Sequence, residues 1–387
     1  MKKILLFVFI AAILLCFFCS QQKKQGASVE VIDGIEYVHN PGNPLYPNRT
    51  VYFEEELSIQ NEDEQGNVLL FRPGWYLVDQ NGFIYICDLM DLEVKVFDPD
   101  GHLFRTIGQK GDGPGEFRSI GEIALLPDDR LLVLDWEAHR ISLFDTEGEF
   151  INSHKFKNWS YDFFLTTNSF YVRDENIFGE KTKLAVKASD YSGKEIFSFG
   201  EFEPDHSQDI NEAGRRFSVS LPYDVCSLFA GDQKNTRLYH CMNDKYQIEA
   251  YDQNGKVFRK IDRPYKPLPT RPEDKKLYLE GFRNISKSDL ALIDKNVQMP
   301  PHKTVINRMF VDDLGNLWVE TNEEKEEKGK SLVAYDIFDE KGVYTAKVWL
   351  SVSPGIIKGG KMYARETDEV TGYREYKKYQ IIWHDLE

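Results

Sequence analysis

An all-β fold, a six-bladed propeller of four-stranded antiparallel blades, is what this sequence predicts, on three observations. The first is an ungapped internal repeat. Ile84-Tyr85-Ile86-Cys87-Asp88 aligns with Leu131-Leu132-Val133-Leu134-Asp135, Val94-Lys95-Val96-Phe97-Asp98 with Ile141-Ser142-Leu143-Phe144-Asp145, and Gly101 with Gly148. The second is the content of each copy: a short apolar strand, a polar loop opened by Asp, a second strand of period two, and an Asp-x-x-Gly turn into a third. Strand-only repeats of roughly 40 to 50 residues are the sequence sign of propeller blades. The third is an orphan. Residues 51–59 read as a strand, with Val51, Tyr52 and Phe53 at its start and no hairpin partner nearby, while the last repeat runs out of chain before its outer strand. An open edge invites aggregation and a ring is stable only when closed, so the orphan is expected to complete the last blade.

The chain begins with Lys2 and Lys3 before an unbroken apolar run, Ile4 to Phe18, which reads as an export signal and is short for a span of ~20 residues. Cys19 closes that run, and the polar stretch Ser20-Gln21-Gln22-Lys23-Lys24-Gln25 follows as a tether. The expected parts are a signal peptide over 1–19, a tether and extension over 20–50 with little periodicity, and the propeller over 51–387. The net charge of −15 argues against nucleic acid or an anionic membrane as partner, since both need a positive footprint. Three cysteines remain downstream, Cys87, Cys226 and Cys241, without metal-ligand spacing. Cys226 and Cys241 flank the turn Gly231-Asp232-Gln233-Lys234-Asn235-Thr236 symmetrically, which allows either a disulfide or two buried thiols.

Register against the second copy places the blades. The first has an inner strand over 75–78, and the second over 123–126. A third, degenerate copy carries Phe170-Tyr171-Val172, Asp174 and the turn Asp190-Tyr191-Ser192-Gly193, with an insertion near 176–182. The fourth holds Leu238-Tyr239-His240-Cys241 and the turn Asp252-Gln253-Asn254-Gly255. In the fifth, Phe310 to Val319 gives two strands and their turn, with a charged insertion over 322–330. The sixth begins at Met362-Tyr363-Ala364 and ends over 379–383. A helical insertion interrupts the pattern at about 264–302. Pro272 with Glu273 and Asp274 makes a helix start, Tyr278 and Phe282 share a face, and Ser288-Asp289 opens a second helix through Leu290 and Ile293. Such an insertion between blades is expected to cap one end of the ring.

The segment Ile107-Gly108-Gln109-Lys110-Gly111-Asp112-Gly113-Pro114-Gly115-Glu116-Phe117, followed by a strand, a polar turn, Leu131 to Asp135 and Arg140, resembles the NHL-type repeat. The opening Gly34-Ile35-Glu36-Tyr37-Val38-His39-Asn40-Pro41, with the leader, resembles the six-bladed β-propeller lipoproteins of Bacteroidetes. That resemblance implies acylation at Cys19, with Cys16 as the alternative, and a place in the cell envelope as an outer-membrane lipoprotein facing periplasm or cell surface. Attachment would be through the lipid alone; a secreted or periplasmic protein is the other reading. Related lyases and lactonase-type propellers hold metal in the axial channel, which makes a metal-dependent enzyme of that type the alternative function.

The chemistry of the residues gives no catalytic set. Gly111-x-Gly113-Pro114-Gly115 lacks the following Lys-Ser/Thr and helix start of a phosphate loop, so tight crossing between blades accounts for its glycines. Histidines are scattered singly, and His240 inside a strand reads as a core residue. Asp88, Asp135 and Asp174 read as strand-end acids that bind their own loop backbone. No metal set, cofactor or catalytic residue is assigned. The chain is expected to be a monomeric binding module for a protein, peptide or carbohydrate. Its contacts are placed at Lys110, Arg118, Trp136 and His139, read as exposed aromatic and cationic residues on the outer-to-inner crossovers and second-to-third-strand loops.

Overall fold

Alternating apolar and polar residues punctuated by Asp and Gly fold as meandering sheets, and in the computed structural model six such sheets follow one another around an axis. The structure describes residues 26–385 apart from 63–64, 156–158, 166–169, 177–182, 191–193, 203–206, 213, 283–284 and 369–371. Cys16 and Cys19 therefore lie outside the described residues. From the axis outward, blade 1 is Pro73–Val78, Ile84–Asp88, Glu93–Phe97 and Leu103–Ile107. Blade 2 is Glu122–Leu125, Leu131–Asp135, Arg140–Phe144 and Phe150–Lys155. Blade 3 is Trp159–Leu165, Phe170–Asn176, Lys183–Ser189 and Glu195–Phe202. Ser227–Asp232, Arg237–Met242, Gln247–Tyr251 and Val257–Asp262 form blade 4. Ile306–Val311, Leu317–Glu327, Lys330–Phe338 and Tyr344–Leu350 form blade 5. Blade 6 is Ile356–Lys358, Lys361–Thr367 and Arg374–Asp385, with Arg49–Ile59 as its outer strand.

That outer strand is the predicted closure. It runs antiparallel to the C-terminal strand from Arg49 opposite Asp385 to Ile59 opposite Tyr376. The repeat signature has an equally direct cause. Oδ1 of Asp98, Asp145, Asp252 and Asp339 each accepts N–H groups from the residues two and four further on, at 2.8 to 3.0 Å. Gly101, Gly148, Gly255 and Gly342 take the left-handed position of these turns, at φ 90, 86, 72 and 78°. Between blades, one sheet's face packs on the next, as where Cys87, Val94 and Ile107 of blade 1 meet Leu125, Val133 and Phe144 of blade 2. The Gly-rich crossover fits this seam: a Cβ on Gly108 would fall 2.2 Å from the ring of the fully buried Phe117.

Several segments differ from the sequence reading. The N-terminal extension holds two strands, Ser28–Ile32 and Ile35–His39, and the second adds in parallel to the outer strand of blade 4. Every residue of Ser28–Ile32 is exposed, so its short Ser-Val-Glu-Val alternation buries no face. A hairpin, Ser207–Glu212 with Arg215–Ser220, stands between blades 3 and 4. The charged insertion of blade 5 is an arm in which the pairing continues to Glu327 opposite Lys330 around Lys328 and Gly329, both at positive φ. Cys226 and Cys241 form no disulfide, because Leu228 is the residue that faces Cys241.

The insertion yields two helices, α1 (Pro272–Glu280) and α2 (Lys287–Asn296). The Asp274 carboxylate receives the Arg271 N–H and is paired with Lys303 at 2.8 Å, while Ser286 caps α2 by accepting from Asp289. Tyr278 and Phe282 meet edge to face and, with Ile293 and Val297, pack on Ile210 and Val219 of the extra hairpin.

His240 lies buried in blade 4 with Nε2 3.2 Å from the Ser227 hydroxyl, and burial lowers its pKa to about 4. The unfolded chain then binds a proton near pH 6.5 that the folded chain refuses until about pH 4. Stability is accordingly complete above 6.5 and falls through that window, by on the order of 3 kcal/mol in all. Melting midpoints measured from pH 7 to 4 should drop more steeply for the natural chain than for His240→Gln. Parallel curves would show that His240 is not the group responsible.

Candidate functional site

Antiparallel blades sort their connections by end. One face carries the outer-to-inner crossovers and the second-to-third-strand loops, and the other carries the first-to-second and third-to-fourth turns. The two helices, the extra hairpin and the blade 5 arm all belong to the first, loop-rich face. Arg271, capping α1, reaches Glu324 of the arm at 3.8 Å.

All four predicted contact residues are on this face, at the seam of blades 1 and 2. Lys110 is exposed in a two-residue strand that pairs in parallel with Glu116–Phe117. The exposed Arg118 is ion-paired with Asp112, and its N–H is held by Asp135 at 2.9 Å. Trp136 and His139 differ from the expectation of exposed side chains. Both are half-buried; the indole lies over Gly121, where a Cβ would fall 2.3 Å from Nε1, and packs on the Ala124, Leu126 and Leu132 cluster. His139 sits at φ 49° and donates its N–H to Trp136 at 3.2 Å.

Asp88 and Asp135 hold backbone, as read. Fully buried, Asp135 accepts from Arg118 N, Ser119 N and Ala138 N at 2.9 to 3.1 Å. Asp88 accepts from Phe71 N, Arg72 N and Met90 N at 2.6, 3.1 and 3.0 Å. Burial alone raises the Asp88 pKa, but these N–H groups and the Lys95 ammonium outweigh it and hold the carboxyl below its ordinary value. The Asp174 side chain lies outside the described residues.

Sequence reasoning missed a patch at the seam of blades 6 and 1. Phe71, Trp75, Met90 and Tyr373 are 52, 45, 60 and 55% exposed, high for large apolar side chains. Arg72, Arg365 and Arg374 are exposed among them. Asp88 pins Phe71, Arg72 and Met90 from below through the bonds just given. From blade 6, Arg374 donates to Pro73 O at 2.9 Å, Arg365 to Gly74 O at 3.2 Å, and the Tyr376 hydroxyl to Gly74 O at 2.7 Å. A β-bulge between Pro73 and Tyr76 turns Trp75 outward.

The opposite end is stapled. Gln80 donates to Pro127 O, Gln233 to Leu125 O, Lys234 to Leu314 O and Lys358 to Val78 O, each at 2.7 to 3.1 Å and each from one blade to another. An axial cavity of about 540 Å³ opens there, with walls from Val78, Ile123, Leu125, Val311 and Ile357. Burial lowers the Lys358 pKa against the raising fields of Asp129, Asp79 and Asp313. Among the described residues, no three His, Cys, Asp or Glu side chains gather closely enough to hold a metal ion.

Comparison with known proteins places this geometry. The model of the DUF5128 family, a 6-bladed beta-propeller, matches residues 76–262. No curated protein matches. Among solved structures, a DUF4221 member from Bacteroides vulgatus is similar at a TM-score of 0.54 and 13% identity, over 87% of this chain and 99% of its own. A protein described as exported from Bacteroides fragilis gives 0.50 and 10%, over 91 and 100%. A virginiamycin B lyase from Staphylococcus aureus gives 0.42 and 11%, over 86 and 100%. At such identities the likeness is one of fold, and by fold the chain is a six-bladed β-propeller.

Proposed function

We propose that this chain is an exported, lipid-anchored propeller that binds a partner through its loop-rich face. One observation carries the reading: the α1–α2 cap, the extra hairpin and the blade 5 arm all stand on one face, while among the described residues the other is tied by short turns and inter-blade staples. Unequal loops on an equal ring are what a binding face looks like, because each loop varies without disturbing the core. The export signal and the polar tether after Cys19 support the envelope location.

One set of variants expressed in the source cell tests both parts. Cys19→Ser should leave the membrane fraction, since buried acyl chains contribute ~0.8 kcal/mol per methylene. Arg118→Ala should stay membrane-bound and fold normally but lose copurifying partner, Trp136→Ala should lose partner and some stability, and Asp128→Ala on the opposite face should lose neither. Loss of partner in the Asp128 variant alone would mean that the working face is the other one.

A further inference from the structure

Resting on the reading of the loop-rich face, we infer that the seam of blades 6 and 1 is where it binds, and that the ligand is an acidic peptide segment carrying an apolar side chain beside its carboxylates. Phe71, Trp75, Met90 and Tyr373 are exposed together at this seam, and Arg72, Arg365 and Arg374 set guanidinium groups beside them. Aromatic residues, Met and Arg are the types enriched at protein interfaces.

Charge selects the occupant. In a chain of net charge −15, an acidic partner is repelled by most of the surface and meets three arginines here. Each arginine uses one N–H on a backbone carbonyl, at Leu89, Gly74 or Pro73, which fixes its direction while leaving further donors of the planar fork for a carboxylate. Two carboxylates beside the patch are engaged already. Asp88 is buried under Phe71, Arg72 and Met90, and Asp91 on the Met90 loop is paired with Lys95 at 3.2 Å. A surface of guanidinium donors and apolar side chains suits carboxylates flanked by apolar groups better than a sugar, whose hydroxyls need acceptors as well as donors.

The patch is also held before any ligand arrives. Asp88 fixes both loops of blade 1, the arginines of blade 6 fix the Pro73–Gly74 step, and Asp368 N bonds to Tyr373 O at 2.8 Å. Little ordering is left for binding to impose, so affinity does not have to offset it.

The test is fluorescence anisotropy of the whole mature chain with a labelled peptide of alternating Glu and Phe, against the same peptide with Gln or Lys for Glu, and against oligogalacturonate. Only the Glu peptide should bind, and binding should weaken as salt rises. Trp75→Ala and the surface variant Met90→Glu should each weaken it at least tenfold with melting unchanged, and Arg374→Gln should do the same whether or not it melts lower. Asp128→Ala, on the opposite face, should leave the peptide bound. If Arg118→Ala abolishes binding and Met90→Glu does not, the loop-rich face stands but the seam is wrong. Equal binding by all variants, equal binding of the Gln or Lys peptide, or Trp75-dependent binding of oligogalacturonate in place of the peptide overturns the inference.

Discussion

A chain that starts at Gln60 is expected to lose cooperative folding, whereas one that starts at Ile35, lacking only the outermost edge strand, is expected to melt close to the full-length protein. Arg49–Ile59 does more than cover an edge. Val51 and Phe53 pack with Tyr379, Ile381 and Val348, so they join blade 6 to blade 5. Leu57 and the buried Ile59 pack with Leu70, Ile84, Phe97 and Tyr376, so they join blade 6 to blade 1. Burying a large aliphatic or aromatic side chain contributes about 1.5–3 kcal/mol, and four in part give on the order of 5 kcal/mol before the strand's hydrogen bonds are considered. A domain's whole stability is about 5–15 kcal/mol, so the ring has little left without the strand. Thermal unfolding by circular dichroism decides it: an unchanged midpoint in the chain from Gln60 would show that closure is dispensable.

The second large effect is at a buried ion pair between blades 4 and 5. Asp336 is fully buried and accepts from Arg263 Nε and Nη2 at 3.0 and 2.5 Å and from the hydroxyls of Tyr246 and Tyr344 at 2.6 and 2.5 Å. Arg263 lies 4.4, 5.2 and 5.1 Å from the ring centres of Tyr246, Tyr265 and Tyr344. Asp336→Ala leaves a guanidinium and two hydroxyls in the seam without their acceptor, and breaking a buried pair from one side costs about 3–5 kcal/mol. Removing both charges, as Arg263→Met with Asp336→Leu, should cost less than the single change, because no orphaned charge remains. Chemical denaturation of the two variants measures this. A double variant less stable than the single one would mean that the pair stabilises through attraction rather than by mutual satisfaction.

What the sequence made legible is what repeats. Asp-x-x-Gly turns are local devices, with donor and acceptor at most four residues apart, so Asp98 or Asp252 can be read without knowing the fold. Closure was legible too, because an orphan strand and an unfinished blade imply each other. The hairpin that Ser28–Ile32 forms with Ile35–His39 was not, because only a few alternating residues mark its exposed edge strand. Nor was the arm of blade 5, where residues such as Glu324 and Lys325 look like loop and are strand only because the pairing below them continues. The patch at the seam of blades 6 and 1 was hidden for a different reason. Trp75 reads as an inner-strand residue until a bulge turns it out, and its neighbours Gly74 and Pro73 meet Arg365 and Arg374 only because the ring joins residues some 290 to 300 positions apart in the chain. Trp136, exposed by its place in a loop, is half-buried because Gly121 leaves it room.

The N-terminal segment touches the ring at three far points: His39 bonds to Asp262, Asn40 to the Tyr344 N–H, and Arg49 to Asp385, across 223, 304 and 336 positions of chain. Translation adds about 5–20 residues each second, so the first strands made wait tens of seconds for partners that are made last. Blades 1 and 2, whose contacts are local, can form meanwhile, but the ring itself has no closed state until the strand Arg374–Asp385 is released. Contacts this distant are also the slowest to find by diffusion. The nascent chain therefore keeps an open ring until the strand Arg374–Asp385 has been made.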